Sequence, residues 1–165
     1  MAEPPRLRRM NLQQTNRPID VVIHWSERDG GLYLDPPYQR GDVWGTKRRV
    51  NLIRSVLLGV PIPSMIINDR LGAGWDGDWR IAVIDGKQRI TTLLMFLHGE
   101  LPVPGEWFGS KSKIVTFNDI TEVQRRIVKN QPLPFSEGRL ATLEDEKEVF
   151  DLVNFGGLTQ GESDV

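Results

Sequence analysis

The stretch Ile81-Ala82-Val83-Ile84-Asp85-Gly86-Lys87-Gln88-Arg89-Ile90-Thr91-Thr92-Leu93-Leu94 constrains the fold more than any other part of this chain. An apolar run, read as a strand, meets a sharp Asp-Gly turn. Two cations and an amide follow, and then an apolar helical pattern begins. A strand–turn–helix joint directs uncapped backbone N–H groups and the positive end of a helix dipole at one spot. Cations at a helix N-terminus normally cost about 0.3–1 kcal/mol. Lys87 and Arg89 therefore make sense there if an anion, foremost a phosphate group, binds between them.

A chain of 165 residues and 18.8 kDa is long enough to bury a real core and short enough for one domain. The net charge of −1 gives no overall drive toward nucleic acid, but the charge is unevenly spread. Arg6, Arg8, Arg9 and Arg17 dominate the front, and the tail carries Glu144, Asp145, Glu146, Glu148, Asp151, Glu162 and Asp164. Such ends can touch a nucleic acid on one face, pair with each other, or simply be solvated. The absence of cysteine excludes disulfides, thiolate catalysis and cysteine-ligated metals. The N-terminus lacks the apolar core of a signal peptide, and no apolar run reaches the roughly 20 residues of a membrane helix. The expectation is a soluble, cytoplasmic protein with no membrane partner.

The predicted layout is a flexible basic arm over 1–18, one domain over 19–160 and a tail over 161–165. Residues 19–25 suit either a short helix or an extended piece, and Leu32–Leu34 a short strand. Thr46 is read as the cap of a helix through Leu58, closed by Gly59. Strands are expected at 64–68 and 79–84, joined by a Gly- and Asp-rich surface connection. The second strand is apolar throughout and should lie buried inside the sheet. A helix from Lys87 to about Leu97 follows, then an irregular stretch over 101–113 and a strand at 114–117. Asp119 or Thr121 caps a helix through Lys129. Gln131-Pro132-Leu133-Pro134 reads as a break, and Thr142 with Asp145 starts a last helix to about Val153. The mixture predicts an α+β fold.

Three clusters could carry chemistry. In the joint, Asp85 can cap the helix or help hold a metal, and Gly86 permits positive φ and close approach of a ligand. Gln88 and Arg89 supply directed donors, and Arg89 can grip a phosphate bidentately. The plainer reading is a capped helix with two surface cations. In the second cluster, Tyr38 and Trp44 could stack on a base while Gln39 and Arg40 bond its edge or a phosphate. Its plainer reading is a packed aromatic loop. Asn154-Phe155-Gly156-Gly157 is a helix C-cap that can also present Asn154 to a pocket. No P-loop motif and no His-Asn-His constellation is present, and His24 and His98 have no metal-ligand spacing.

Together the three clusters resemble a known family. Tyr38-Gln39-Arg40 with Trp44 comes first, then Leu52-Ile53-Arg54-Ser55-Val56-Leu57-Leu58-Gly59-Val60-Pro61-Ile62-Pro63. The Asp85–Arg89 joint follows, and then Val149-Phe150-Asp151-Leu152-Val153-Asn154-Phe155-Gly156-Gly157. Over about residues 30–160 the chain resembles the N-terminal domain of GmrSD-type restriction endonucleases, a branch of the ParB/sulfiredoxin-like superfamily. The resemblance implies a compact ParB/sulfiredoxin-like domain, a small mixed sheet flanked by helices. It also implies binding and hydrolysis of a nucleoside triphosphate (ATP, GTP or CTP, with Mg2+) in the service of DNA restriction or phage defence. Catalytic roles then fall on Asp85, Arg89 and Arg40, with Asp85 also the metal ligand. Tyr38, Gln39, Arg40, Gly86, Lys87, Gln88, Arg89, Thr91 and Asn154 would bind the nucleotide. Lys87 replaces the family's usual glutamine, which strengthens phosphate binding or disturbs hydrolysis.

The leading expectation is thus a nucleotide-binding, NTP-hydrolysing module without its own nuclease, partnered by nucleotide, DNA and a separate nuclease subunit. One alternative is a ParB-like phosphotransferase acting on a small molecule or modified DNA. The other is a non-enzymatic DNA-binding or protein-interaction regulator that uses the basic arm. The sequence leaves base preference and oligomeric state open.

Overall fold

The computed structural model describes residues 7–39, 41, 43–72 and 74–156 of the chain. Its α+β architecture is a five-stranded mixed sheet with helices on both faces, plus a small two-stranded sheet. Strand β1 (Gln13–Pro18) leads into α1 (Asp20–Glu27) and the two-residue β2 (Leu32–Tyr33). Helix α2 (Thr46–Leu58) precedes the hairpin of β3 (Met65–Asp69) and β4 (Ile81–Asp85). Helix α3 (Lys87–Leu97) follows, then β5 (Val103–Pro104), a short 3-10 turn and β6 (Ile114–Val115). The described chain closes with α4 (Glu122–Lys129), β7 (Pro132–Gly138) and α5 (Leu143–Phe155).

The sheet order is β1-β7-β3-β4-β2. β7 runs antiparallel to β1 and parallel to β3, β3 antiparallel to β4, and β4 parallel to β2. β3 and β4 are apolar throughout because both of their faces are covered. Met65, Ile67, Ile81 and Val83 pack with Ile53, Ile90, Leu93 and Phe96 under the helices of one face. Ile66 and Ile84 point to the other face and meet Val149 and Phe150 of α5. The interior, buried placement expected for β4 is what the structure has. Both edges are blunted: β2 is two residues long and β1 is polar.

Several helix ends follow their predicted chemistry. Gly59 closes α2 in the left-handed conformation at φ 71°. Thr121 caps α4 in a full capping box with Gln124, and Thr142 accepts a bond from the Asp145 backbone N–H. Thr46 is not a cap: the α2 N-cap is Gly45, one residue earlier, without a side-chain bond.

Two further expectations fail. Residues 13–18, read as part of a flexible arm, form β1, because each of them lies opposite a residue of β7 in antiparallel register and Arg17 bonds Glu137 through Nε at 2.8 Å and Nη2 at 3.0 Å. Gln131–Pro134, read as a break, opens β7, an interior strand. Its prolines are tolerated because Pro132 and Pro134 face Pro18 and Asn16 of β1, and pairing with β3 begins only at Phe135. Of the two ends, Arg8 does pair with Asp145 on α5, so the basic front and the acidic tail meet at that point. Residues 1–6 and the expected tail over 161–165 lie outside the described residues. Among the described residues no helix is long and apolar enough to cross a membrane.

Candidate functional site

The β4–α3 joint turns at Gly86, with φ 103° and ψ 15°. A Cβ on Gly86 would lie 2.6 Å from Met65 Cγ and 3.3 Å from Arg89 Nη2, so backbone freedom and close packing both require glycine. No side chain caps α3. Asp85, expected as that cap, stands one residue too early. Its carboxylate instead accepts a bond of 3.0 Å from Nη2 of Arg89, four residues on. Arg89 Nη2 also lies 3.3 Å from the Ser64 carbonyl oxygen. The Nε of Arg89 is shielded from solvent and has no hydrogen-bond partner among the described residues. A buried donor in that condition is an uncompensated cost unless something else accepts from it. Lys87 pairs with the exposed carboxylate of Asp35 through Nζ. Both cations expected to wait for an anion thus already have carboxylate neighbours within the chain.

A cleft of about 560 Å³ opens over this joint. Residues 85–89 form its floor, Gln39, Trp44 and Arg48 one wall, and Phe150 and Asn154 of α5 another. Gln39 is fastened to β4: its Nε2 donates to the carbonyl oxygens of Val83 at 2.6 Å and Ile84 at 2.7 Å. Gln88 Oε1 accepts from the Trp44 backbone N–H at 3.2 Å and from Arg49 Nη2 at 3.0 Å. The Arg48 guanidinium lies 4.3 Å from the Trp44 ring centre, a cation–π contact at the rim. At the end of α5, Asn154 Nδ2 donates to the Phe150 carbonyl oxygen at 2.9 Å.

The structure therefore brings Gln39, Asp85, Gly86, Lys87, Gln88, Arg89 and Asn154 to one cleft. Tyr38 and Thr91 are not among its lining residues. Tyr38 turns inward: its ring packs on Phe150 at 5.3 Å and its hydroxyl donates to Glu146 Oε2 at 2.9 Å. Burial, and then the Glu146 charge, push its phenol well above the ordinary range. Tyr38 sits in a turn closed by the bond from the Gln39 N–H to the Pro36 carbonyl oxygen at 2.9 Å, and that turn sends its side chain toward Glu146 while Gln39 reaches β4. Next to Thr91 it is Thr92 that is engaged, accepting from Arg49 Nη1 at 2.6 Å and donating to the Gln88 carbonyl oxygen at 2.7 Å. Arg40 lies outside the described residues. Asp85 is the cleft's carboxylate, and among the described residues no three His, Cys, Asp or Glu side chains gather to hold a metal.

Sequence reasoning missed Arg49, which is 6% exposed and ties α2 to the joint. Position 49 lies on the same helical stripe as Leu52, Ile53 and Val56, all buried. An arginine on an apolar stripe is a legible sign of a buried polar anchor. Phe150, part of the family-like Val149–Gly157 segment but not among the expected site residues, also lines the cleft.

No curated protein matches the chain by sequence. The model of the GmrSD restriction endonuclease N-terminal domain matches residues 23–165, a span that includes the joint, the cleft walls and α5. The chain belongs to that family, the GmrSD restriction endonuclease N-terminal domain.

Proposed function

We propose that the chain is a nucleotide-binding module of a DNA-restriction system, with the cleft over the β4–α3 joint holding a nucleoside triphosphate. The observation that carries this is Arg89 lining a cleft at a helix N-terminus that no side chain caps, with its shielded Nε left without a hydrogen-bond partner among the described residues. Such a site suits phosphate oxygens, which accept from guanidinium and backbone N–H groups alike. The family membership supports the link to restriction.

The donor set fits a phosphate better than a bare metal. Among the described residues that line the cleft, Asp85 alone offers a carboxylate, and it is held by Arg89. Asp85 would be the side chain to hold a Mg2+ ion bound to the phosphates, where the metal would supply charge neutralisation. Arg89 and Lys87, paired within the chain with Asp85 and Asp35, would be the cations that face the phosphate charge. Trp44 and Arg48 at the rim suit a base ring. Hydrolysis at such a site would rest on electrostatic placement of the phosphates and of an attacking water.

The test is a thermal-shift panel of ATP, GTP and CTP with and without Mg2+. At least one should raise the melting temperature, by linkage of binding to folding. Arg89→Ala should abolish the rise. A flat response across the panel would refute the proposal and favour a non-enzymatic DNA-binding or protein-interaction module.

A further inference from the structure

Glu146 is 0% exposed, the only acidic side chain among the buried described residues. Both of its oxygens are saturated. Oε1 accepts from Asn68 Nδ2 at 2.7 Å and Arg70 Nε at 2.8 Å. Oε2 accepts from Arg70 Nη2 at 2.6 Å and the Tyr38 hydroxyl at 2.9 Å. The partners are fixed in turn. Asn68 exchanges two bonds with the Leu140 backbone, and the Arg70 guanidinium lies 4.0 Å from the Trp75 ring centre and 5.3 Å from that of Tyr33. A buried ion pair is weak evidence for stability, since an apolar replacement often does as well. What this one joins is more telling.

Three segments meet at Glu146: the end of β3, the loop that carries Tyr38 and Gln39, and α5. Two of them are walls of the cleft. Tyr38 is held down by Glu146, and the next residue, Gln39, is held by β4 just ahead of Asp85. On α5, Glu146, Phe150 and Asn154 follow at four-residue steps, so one helix face carries the anchor and both wall residues. Tyr38 packs on Phe150, closing the triangle.

We propose that Glu146 is a positioning residue for the cleft, clamping the Tyr38–Gln39 loop and α5 in one register so that opposite walls face the same ligand. The proposal rests on the reading of the cleft as a nucleotide site, and it makes Tyr38 a strut of the wall, with no contact to the ligand. The raised phenol of Tyr38 keeps the donor protonated throughout the neutral range.

The test compares the whole chain with Glu146→Gln, Tyr38→Phe and a control, Glu137→Gln. The control weakens a part-buried ion pair of similar length, Arg17 to Glu137, between β1 and β7. Two quantities are read well below the melting transition: amide hydrogen exchange at positions 38 and 39 and over 150–154, and calorimetric dissociation constants for Mg2+ complexes of ATP, GTP and CTP. Exchange in both segments should speed up by about tenfold in Glu146→Gln and Tyr38→Phe, and not in the control. The dissociation constant should rise by about fivefold or more in both variants and stay within about twofold in the control. A network that merely supports the fold would lower the melting temperature in all three and leave the affinity of folded molecules unchanged, which would overturn the proposal. Should Glu146→Gln fail to fold, Tyr38→Phe removes a single hydroxyl, keeps the ring on Phe150 and carries both readouts. If the unaltered chain binds none of the three nucleotides, the nucleotide reading falls. Exchange then decides the clamp alone, and unchanged exchange at positions 38 and 39 refutes it.

Discussion

Replacing Gly86 with alanine probes the joint on which the site is built. Two costs can be separated. An L-residue in the left-handed region costs about 1–2 kcal/mol. Overpacking a tight interior costs about 1–3 kcal/mol more, and here the new methyl would sit 2.6 Å from Met65 Cγ and 3.1 Å from Met65 Cβ. Loss of glycine's freedom in the unfolded chain returns about 0.4–1 kcal/mol. The net loss is about 1–4.6 kcal/mol, a sizeable share of the 5–15 kcal/mol typical of a domain. Gly59→Ala is the matched control: its φ is also positive, at 71°, but nothing lies within 4 Å of its Cβ. It bears the backbone cost alone. The difference between the two variants isolates the steric term, and in a domain of this size it corresponds to roughly 2–12 °C in Tm. Differential scanning fluorimetry reads it directly. Equal melting temperatures for the two variants would show that Met65 yields freely, and the argument that close packing dictates Gly86 would fail.

Two further outcomes follow from particular contacts. Thr121→Ala removes one half of the α4 capping box and should cost about 0.5–2 kcal/mol in urea denaturation; a change under about 0.3 kcal/mol would mean the cap is replaced by water. The folded phenol of Tyr38 titrates above its unfolded value of 10.0. Its contribution is therefore complete below that pH and is lost as pH rises past it, where the unfolded chain releases the proton and the folded one does not. The stability difference between the unaltered chain and Tyr38→Phe should be flat from neutral pH to about 9.5 and shrink above about 10. A difference that stays constant through the alkaline range would contradict the buried bond to Glu146.

Local chemistry was readable from the chain, and long-range pairing was not. The joint at 85–89 announces itself because a strand, a glycine and a helix are adjacent in sequence. Its cleft then collects Gln39 and Asn154 as expected. The partners of the cations were invisible, since Asp35 is far from Lys87 in the chain. Asp85 sits only four residues from Arg89, yet the pairing depends on Gly86 taking the cap position. Tyr38 does not line the cleft, although an aromatic beside Gln and Arg looks like a base-stacking residue; only the fold supplies Glu146 beneath it. β1 and β7 escaped for a related reason. Their polar residues and prolines carry no strand signal of their own, and their identity comes from lying beside each other. Glu146 was legible in part: it precedes Val149 and Phe150 by three and four residues, on the face that α5 buries.

The seating of β7 between β1 and β3 also orders events during synthesis. The first strand of the described sheet leaves the ribosome long before β7, its neighbour there, exists. Until the segment around Phe135 emerges, β1 has nothing to zip against and β3 keeps one side bare, although the β3–β4 hairpin can form early. Closing such distant ends is slow, and an unpaired strand edge invites association in the meantime. A nascent chain halted before Pro132 would therefore present its own sheet to other chains as an open seam.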